Sequence, residues 1–574
     1  MKNRKIAGEL RKIADMMEIR GIQWKPRAYR SAARKIENMD ESIEDIYNDG
    51  GKRGLQDIPS IGESLADHIA EYIEKGRVKK WERTKRGTGG DLPELLKIEG
   101  LGPKKVRLLA EKLHIANVGD LEKAAEEGKI RDLEGFGKQT EKNILRSVRQ
   151  FRESRDRMLI GKAWKIAEET MDYLKSRAEV EKMDYAGSLR RMKETIGDID
   201  ILAVTPKPKD LMDVFTDMKD VSRILVKGES KSTVILEDTV HIDLRVIREK
   251  SYGAALLYFT GSKDHNIQLR KRALEEDLKL SEYGLFNEGA KKPRAAKEEA
   301  DIYGALGLAW IPPELRENTE EIEAAEKDAL PELVEAGDIR GDLHMHSRYS
   351  DGLDSIRDMA KKAKERGYDY IAVTDHSRSE RIAHGMQVRD IEKQWKEIDG
   401  IGDEEGIHIL KGAEVDILED GSLDYGDDIL EQLDLVTAAV HSDFGMKKKK
   451  MTARILQALE NPCVNVLAHP TGRMINKRDG YEADMDAIFR ACASGHVALE
   501  INSDPRRLDL NGTLIMAAKK HKVKFSVGTD AHSAGMLGNI RFGLGQARRG
   551  WLEKKDLINT RSLAQLRKFL KAGS

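Results

Sequence analysis

The 574-residue chain has few cysteines and no long apolar run. Cys463 and Cys492 are its only cysteines, too few for a disulfide framework, so a reducing compartment and a cytoplasmic location are expected. No stretch is apolar enough to cross a bilayer, and Met1–Lys5 does not begin a secretory signal, so we expect no membrane association. Charged residues make up 35% of the chain, and its length predicts roughly three to five globular domains.

The net charge of −1 hides an asymmetry along the chain. Residues 1–160 contain 35 Lys and Arg against 28 Asp and Glu, a balance of +7, which leaves −8 for the remainder. A basic front part fits nucleic-acid contact and an acidic remainder fits metal ligation, although solvated helix faces carry charge runs as well.

A pair of acids follows a glycine turn in the segment Gly187–Val204. Asp198 and Asp200 alternate with apolar residues, so both carboxylates lie on one face of a predicted strand. Adjacent carboxylates repel each other unless a cation lies between them, and ligands that offer only oxygen suit Mg²⁺. A lone D-x-D pair is more often a solvated strand edge, but the preceding Gly187 and Ser188 let the backbone approach a triphosphate.

A third acid, Asp243, lies on the polar face of a predicted strand, Val240–Val246. Three acids on adjacent strands are what two-metal phosphoryl transfer needs. Together with the block Tyr258–Ser262, these motifs resemble the nucleotidyltransferase palm of family X DNA polymerases, the DNA polymerase beta group.

This resemblance implies roles for the motif residues. It makes Asp198, Asp200 and Asp243 catalytic ligands of Mg²⁺ or Mn²⁺, with dNTPs as substrates, and it puts Arg270 against the DNA template. The nucleotide contacts that it implies are Gly187, Ser188, Arg191, Gly197, Tyr258, Phe259, Gly261 and Asn266. Ile196 departs from the family pattern, which often has a small hydroxyl residue there, so the resemblance does not carry over one phosphate contact, while the metal ligands are unaffected.

Three glycine turns precede predicted helices in the N-terminal third of the chain. They contain Gly62, Gly100 with Gly102, and Gly135 with Gly137. Glycine bares the backbone N–H groups, and the helix N-terminus that follows presents a positive dipole end to a DNA phosphate. A single copy would more often be a packing turn, but three copies resemble helix-hairpin-helix motifs and predict DNA binding.

The first copy lies in a region that resembles the small lyase-type domain of the same family. His68 stands where the beta-type enzymes carry the lysine that forms a Schiff base, and an imidazole cannot form that imine. We therefore expect a domain that binds the end of a gap, with Arg30, Arg34 and Lys35 as phosphate contacts, rather than a lyase.

Five apolar runs in the last portion of the chain each end in a metal-ligand type. Such runs alternating with helical segments indicate a parallel sheet covered on both faces, and ligands at strand C-terminal ends are typical of barrel active sites. One histidine alone would more often be a packed or surface residue, but repetition at five strand ends is not explained that way.

The pattern resembles the PHP (polymerase and histidinol phosphatase) domain, which implies a distorted (β/α)7 barrel and metal-dependent phosphoester hydrolysis. The family's nine ligand positions are filled by His344, His346, Asp351, His376, Glu414, His441, His469, Asp530 and His532. Mixed imidazole and carboxylate ligands favour Mn²⁺, Zn²⁺ or Fe over Mg²⁺.

The resemblance covers nearly the whole chain and implies a multidomain fold: an all-α helix-hairpin-helix region, an α+β palm with thumb, and an α/β PHP barrel. The expected divisions are a lyase-type domain (1–85), a fingers-type helix-hairpin-helix region (86–155), the palm (156–250), the thumb (251–317), a linker (318–340) and the PHP domain (341–574).

We therefore expect a monomeric DNA polymerase that fills short gaps in base-excision or gap repair, coupled to a metal-dependent 3′-5′ exonuclease, with gapped or primed DNA as substrate. One alternative makes the PHP domain an abasic-site endonuclease or 3′-phosphatase. Another is a non-catalytic scaffold for DNA ends, which the retained acids and histidines do not favour.

Overall fold

The computed structural model describes residues 2–571 except 23, 38, 40–41, 59–60, 76–77, 79–91, 97, 99, 156 and 238. The expected boundary between residues 85 and 86 and the side chain of Arg34 lie outside the described residues. The chain divides into two compact units, residues 1–155 with 476–478 and residues 156–475 with 479–574. No helix in the described part of the chain is both long and apolar enough to span a membrane.

The regular secondary structure among the described residues of the first unit is all helical, as the sequence predicts. Its helices are Lys2–Ile19, Lys25–Glu37, Ile43–Gln56, Glu63–Lys75, Leu92–Leu95, Pro103–Leu113, Val118–Glu126 and Lys138–Arg155. Two apolar cores form, one around Leu10, Ile36 and Ile69 and one around Leu109 and Leu121. The three glycine turns all end at helix starts, at residues 63, 103 and 138.

The palm is a five-stranded sheet with its acids on the two strands that run parallel. In sheet order the strands are Lys182–Tyr185, Asp198–Val204, Val240–Val246, Lys231–Leu236 and Val221–Lys227. A strand pair, Met158–Leu159 with Thr195–Ile196, and the helices Ile160–Lys175, Gly187–Arg190 and Pro208–Thr216 accompany it. Ile199, Ile201 and Ile242 point into the core, so the alternating acids face the other way.

The thumb follows as helices around a small hairpin. Its elements are the helices Tyr252–Thr260, Lys263–Glu275 and Glu299–Ala305, the strands Leu278–Ser281 and Gly284–Asn287, and 3-10 turns at Glu249–Ser251 and Pro313–Leu315. Part of the segment expected as a linker packs on this domain: helix Glu321–Glu326 places Ala325 in the thumb core, and the buried Glu321 carboxylate lies 2.7 Å from His265 Nδ1.

The last domain contains seven parallel strands that are adjacent in chain order. They are Gly341–Asp342, Tyr370–Val373, His408–Asp416, Leu435–Ala439, Val466–Leu467, Ala498–Asn502 and Phe525–Gly528. The helices are Ile356–Glu365, Val388–Glu405, Asp427–Leu430, Lys448–Leu459, Met485–Ser494, Gly512–Lys519, Ile540–Arg549 and Leu563–Leu570, with 3-10 turns at Ala336–Asp338, Arg381–Ala383, Ala534–Asn539, Lys554–Asp556 and Ile558–Thr560.

Backbone hydrogen bonds join the two ends of this sheet beyond the first and last strands. Asp530 N donates to His344 O (2.9 Å) and His346 N donates to Ala531 O (2.8 Å). The sheet is therefore nearly closed into a barrel, and residues that follow its strands converge at one end.

Candidate functional sites

The three palm acids lie together because of strand register. Asp200 on strand Asp198–Val204 is paired directly with Asp243 on the parallel strand Val240–Val246. Asp243 accepts a hydrogen bond from Thr233 Oγ1 (2.7 Å) and lies 2.7 Å from Lys231 Nζ, which fixes its carboxylate. The arrangement brings together the residues that the sequence predicts as catalytic.

Electrostatics favour a cation among these acids. Burial, together with the Asp198 and Asp243 carboxylates, raises the pKa of Asp200 to about 7. The repulsion between these carboxylates would be reduced by a bound cation, and the oxygen-only donor set suits Mg²⁺ or Mn²⁺. Gly187 is required beside it: its φ is +60°, and an added Cβ would fall 2.5 Å from Asp200 Oδ2.

A cavity of about 660 Å³ opens beside Asp198. Its lining residues are Arg157, Ser188, Arg191, Lys193, Glu194, Thr195 and Asp198. Three cations and two hydroxyls next to a predicted metal ligand, Asp198, suit a phosphate chain. Sequence reasoning missed Arg157 and Lys193, although the basic run Arg190-Arg191-Met192-Lys193 directly after the glycine turn was a usable signal.

Arg191 is already engaged by protein groups on this cavity wall. Its Nη1 donates to Thr260 O, and its Nε donates to Glu317 Oε1 (3.0 Å). The neighbouring Arg190 makes two 2.8 Å bonds to the Glu299 carboxylate. The role of Arg191 as a phosphate ligand stays a prediction, and any such contact would add to the bonds it makes here.

The predicted sugar and base contacts form one cluster at the palm–thumb junction. Tyr258 and Phe259 meet edge to face, 5.1 Å between ring centroids, and the guanidinium of Arg245 lies 4.3 Å from the Phe259 ring. Asn266 Nδ2 donates to Tyr258 O (2.7 Å), and Arg270 Nε donates to Asn266 O (3.3 Å). Since Arg245 also lies 3.3 Å from Asp243, the cluster adjoins the acids.

Two further predicted nucleotide contacts are glycines of this region. Gly197 immediately precedes Asp198. Gly261 ends the helix Tyr252–Thr260 with φ +70°, and an added Cβ would lie 3.1 Å from Arg191 Nη1. Gly197 therefore lies beside one of the three palm acids, and Gly261 lies beside a residue that lines the cavity.

The predicted DNA contacts of the first unit are mostly turn residues. Gly100 and Gly135 have φ values of +81° and +80°, and an added Cβ at Gly62, Gly100, Gly102, Gly135 or Gly137 would meet no described atom within 4 Å. These turns are thus open enough for a phosphate to approach the backbone. Lys35 lies on the helix Lys25–Glu37 and remains a predicted contact.

Two other residues of this unit are less available than the sequence suggests. Arg30 forms salt bridges with Asp15 (2.7 Å) and with Glu18, so its guanidinium is already paired within this unit. His68 is buried, with Nδ1 2.9 Å from Tyr29 Oη.

All nine predicted PHP ligands converge at the C-terminal end of the barrel strands. Glu414 is central: its carboxylate oxygens lie 2.8 Å from His469 Nε2, 3.1 Å from His376 Nδ1 and 3.3 Å from both His344 Nε2 and His441 Nε2. Eight of the nine belong to three close groups of ligand atoms: His346, Asp351, His376 and His532; His344, His346 and Asp530; and His376, Glu414 and His441. A fourth close group joins His441 to two acids outside the predicted set, Glu380 and Asp416.

Several of these atoms are buried without a hydrogen-bond partner. They are His344 Nε2, His346 Nδ1, Asp351 Oδ1, His376 Nδ1 and His469 Nδ1. Burying polar atoms unsatisfied is costly, and metal ions would satisfy the ones that face the groups just named. The mixed nitrogen and oxygen donors fit Mn²⁺, Zn²⁺ or Fe.

Two acids that sequence reasoning missed orient the ligand histidines from behind. His344 Nδ1 lies 2.5 Å from Glu500 Oε1, and His441 Nδ1 lies 2.6 Å from Asp416 Oδ1. A carboxylate on Nδ1 fixes the ring and leaves Nε2 as the donor atom. Glu500 was detectable as a buried acid in an apolar strand, and Asp416 as the acid two residues after Glu414 on the same strand face.

A third missed acid, Asp375, anchors the loop that carries Asp351. It accepts hydrogen bonds from Ser347 N (2.7 Å), Ser350 Oγ (2.5 Å) and Gln394 Nε2 (2.6 Å). It is fully buried and belongs to none of the ligand groups, so we assign it to positioning.

The histidines differ strongly in their affinity for protons. Burial lowers the pKa of His376 to about 3, whereas at His441 the opposing Glu414 and Asp416 carboxylates outweigh burial and raise the pKa to about 10. At His532 burial likewise lowers the pKa, but the Asp351 carboxylate outweighs this effect and raises the pKa to about 9. The acids therefore favour positive charge within the group.

Comparison with known proteins gives four matching family models. They are a helix-hairpin-helix domain over residues 1–78, a SAM-like helix-hairpin-helix tandem over 92–150, the DNA polymerase beta thumb over 255–317 and the PHP domain over 342–504.

Three curated relatives are informative. The DNA polymerase/3′-5′ exonuclease PolX of Bacillus subtilis (strain 168) is 38% identical over 566 residues, 98% of this chain and 98% of that protein. Probable phosphatases of Thermoanaerobacter sp. (strain X514) and Shewanella sediminis (strain HAW-EB3) are both 28% identical, over 242 and 243 residues, 40% of this chain and 94% of each relative.

Proposed function

The chain belongs to the family X DNA polymerases that carry a PHP domain, and from this premise we propose that it fills short DNA gaps and trims 3′ ends at two separate metal sites. Membership confirms the relationship that the sequence motifs predict, and with it the DNA polymerase and 3′-5′ exonuclease activities. The gapped DNA substrate and the role of each residue are the proposed part.

In the polymerase site, Asp198, Asp200 and Asp243 hold Mg²⁺ or Mn²⁺. Ser188, Arg191 and the other cations of the adjoining cavity bind the triphosphate of a dNTP. Tyr258 and Phe259 pack against its sugar and Asn266 reads the base edge, while Arg270 contacts the template. The turns ending at residues 62, 102 and 137, with Lys35, hold DNA phosphates without reading sequence.

In the exonuclease site, the nine converging residues hold Mn²⁺, Zn²⁺ or Fe. Glu500 and Asp416 keep His344 and His441 oriented. Bound cations supply related chemistry at both sites, since they lower the pKa of an attacking hydroxyl or water and neutralise charge on the phosphate oxygens.

The observation that carries this proposal is the presence of two ligand sets of different chemistry, one of carboxylates in the palm and one rich in imidazole in the PHP domain. A DNA substrate and two cysteines that do not pair with each other fit a cytoplasmic, reducing setting. The monomeric state is part of the proposal.

The test is a gapped-DNA assay with and without dNTPs, which reports extension and degradation together. His344→Ala should abolish 3′-end trimming while gap filling survives. His408→Ala is the matched control, because His408 lies on the strand that carries Glu414 but contacts Arg567 at its opposite end. Loss of both activities in a folded His344→Ala protein would contradict two independent sites.

A second candidate function for the PHP domain, 3′-phosphatase, is suggested by the probable-phosphatase names of the shorter relatives, and abasic-site endonuclease is the other alternative. Three substrates tested in parallel distinguish phosphatase, endonuclease and exonuclease activity: a 3′-phosphate end, an abasic site and a plain recessed end. We expect the recessed end to be degraded fastest, and a stronger preference for either other substrate would favour the alternative.

A further inference from the structure

Four residues of the palm, Arg191–Glu194, lie between the nucleotide cavity and the PHP domain. We call them the phosphate segment. On one side Arg191, Lys193 and Glu194 line the cavity beside Asp198. On the other side the segment contacts the helix Ile540–Arg549, which we call the interface helix.

The interface helix donates two hydrogen bonds to the backbone of the phosphate segment. Gln546 Nε2 donates to Met192 O (2.9 Å), and Arg549 Nη1 donates to Arg191 O (2.7 Å). Gln546 is 1% exposed, so water does not compete for its bond. Two consecutive carbonyls of the cavity wall are thus held by side chains that lie more than 350 residues further along the chain.

The backbone held in this way has an unfavourable conformation. Met192 has φ +54°, a left-handed value that non-glycine residues adopt only when surrounding contacts enforce it. The interface helix supplies such contacts at close range: a Cβ added to Gly545 would lie 2.9 Å from Met192 Cβ. The helix can approach the segment this closely because residue 545 is glycine.

Charge pairing continues the same contact on both sides. Glu317 Oε1 accepts from Arg191 Nε and from Arg549 Nη1, each at 3.0 Å, so one carboxylate joins a cavity residue to the interface helix. At the other end of the segment, Arg473 of the PHP domain donates to Glu194. Both ends of the phosphate segment are therefore tied to the PHP domain.

We propose that the PHP domain completes the nucleotide site of the polymerase, with Gln546 and Arg549 as positioning residues that fix the phosphate segment for dNTP binding. The inference rests on the proposed role of this cavity in holding the triphosphate. It makes nucleotide affinity in the palm depend on a helix of the hydrolase domain that lies outside the hydrolase ligand set.

The physical expectation is a change in binding rather than in chemistry. Without the Arg549 guanidinium, the Arg191 carbonyl loses its donor and Glu317 keeps Arg191 as its partner on that side, so the segment samples other conformations. The three acids, held by strand register, are unaffected. A KM increase of about tenfold with kcat changed less than about threefold is expected, because the lost contact serves ground state and transition state alike.

Arg549→Met tests this, with Arg548→Met as matched control. Arg548 is the preceding residue of the interface helix and is also partly buried, but it pairs with Glu314 (2.7 Å) and Val334 O (3.0 Å) instead of the phosphate segment. The dNTP concentration dependence of single-nucleotide gap filling gives KM and kcat, and 3′-end trimming by the same preparation reports whether the PHP domain is intact.

Raised KM in Arg549→Met alone, with trimming preserved, supports the proposal, and equal KM values in both variants and wild type overturn it. If Arg549→Met loses trimming and fails to fold, two milder variants replace it in the same comparison of KM with wild type. Arg549→Lys keeps the charge of the side chain, and Gln546→Met keeps its volume. Wild-type protein that trims ends but shows no saturable dNTP incorporation would refute the function proposed for the cavity instead.

Discussion

Glu500 offers a sharp test of how the PHP site is built, because it touches a ligand histidine without belonging to the ligand groups. Its carboxylate lies 2.5 Å from His344 Nδ1 and accepts from His469 N (2.7 Å), so it supports two ligands at once. Gly528 leaves the space that this carboxylate occupies, because a Cβ added to Gly528 would lie 2.6 Å from Glu500 Oε1. Glu500→Gln keeps the shape and an acceptor oxygen but removes the charge.

The expected loss follows from that distinction. Removing a carboxylate behind a ligand histidine typically weakens metal binding or activity by about 10- to 100-fold. Glu500→Gln should weaken metal binding about tenfold, because the amide oxygen still orients the His344 ring. Glu500→Ala should weaken it about 100-fold, because the orientation of the ring is lost as well. Glu460→Gln, an exposed acid of the same domain, is the control.

The assay is 3′-end trimming titrated with Mn²⁺, alongside gap filling on the same preparations. Both Glu500 variants should need more Mn²⁺ for half-maximal trimming and should recover at saturation, with gap filling unchanged. An unaltered Mn²⁺ dependence, or equal losses in Glu500→Gln and Glu500→Ala, would refute the reasoning that the charge of Glu500 and its orientation of the histidine ring contribute separately.

Two further predictions concern the polymerase half. Gly187→Ala should strongly reduce gap filling and spare trimming, measured on one gapped substrate, because the new Cβ would collide with the Asp200 carboxylate in a left-handed backbone; normal gap filling would show that the turn can shift freely. Glu299→Gln should lower the free energy of unfolding at pH 7 by about 3 kcal/mol in urea titrations, because the buried Arg316 and the partly buried Arg190 lose the negative charge of their shared partner. Burial opposes the Glu299 charge, but Arg316 and Arg190 outweigh it and lower its pKa from 4.5 to about 2, so this stability is present above pH 4.5 and is lost as the pH falls towards 2. A wild-type to variant difference that stays constant from pH 7 to pH 3 would contradict that account.

Sequence reasoning succeeded where local periodicity determines geometry. Alternation along Asp198–Val204 and Val240–Val246 is enough to put the acids on one face, and parallel strands that end in ligand types must bring those ends together. The order of helical region, palm with thumb, and PHP domain followed from the resemblance of short motifs to those of known families.

Contacts between distant segments could not be read in the same way. The sequence shows Arg191 as a basic residue after a turn, yet its guanidinium is used by Thr260 O and Glu317. The Arg30 guanidinium likewise forms salt bridges with Asp15 and Glu18. Which acid reaches which cation depends on tertiary packing, and neither composition nor period carries that information.

The two proposed metal sites differ in a way that bears on how one chain can both build and remove DNA. The palm offers oxygen donors from two strands beside an open cavity, whereas the PHP site offers buried imidazoles braced by Glu500 and Asp416. Hard oxygen sites accept Mg²⁺ readily, while mixed nitrogen and oxygen sites favour Mn²⁺, Zn²⁺ or Fe. With Mg²⁺ alone, gap filling should therefore outpace trimming, and added Mn²⁺ should restore trimming without requiring any change in the polymerase site. The balance between synthesis and removal would then follow from donor chemistry that the fold keeps in separate domains.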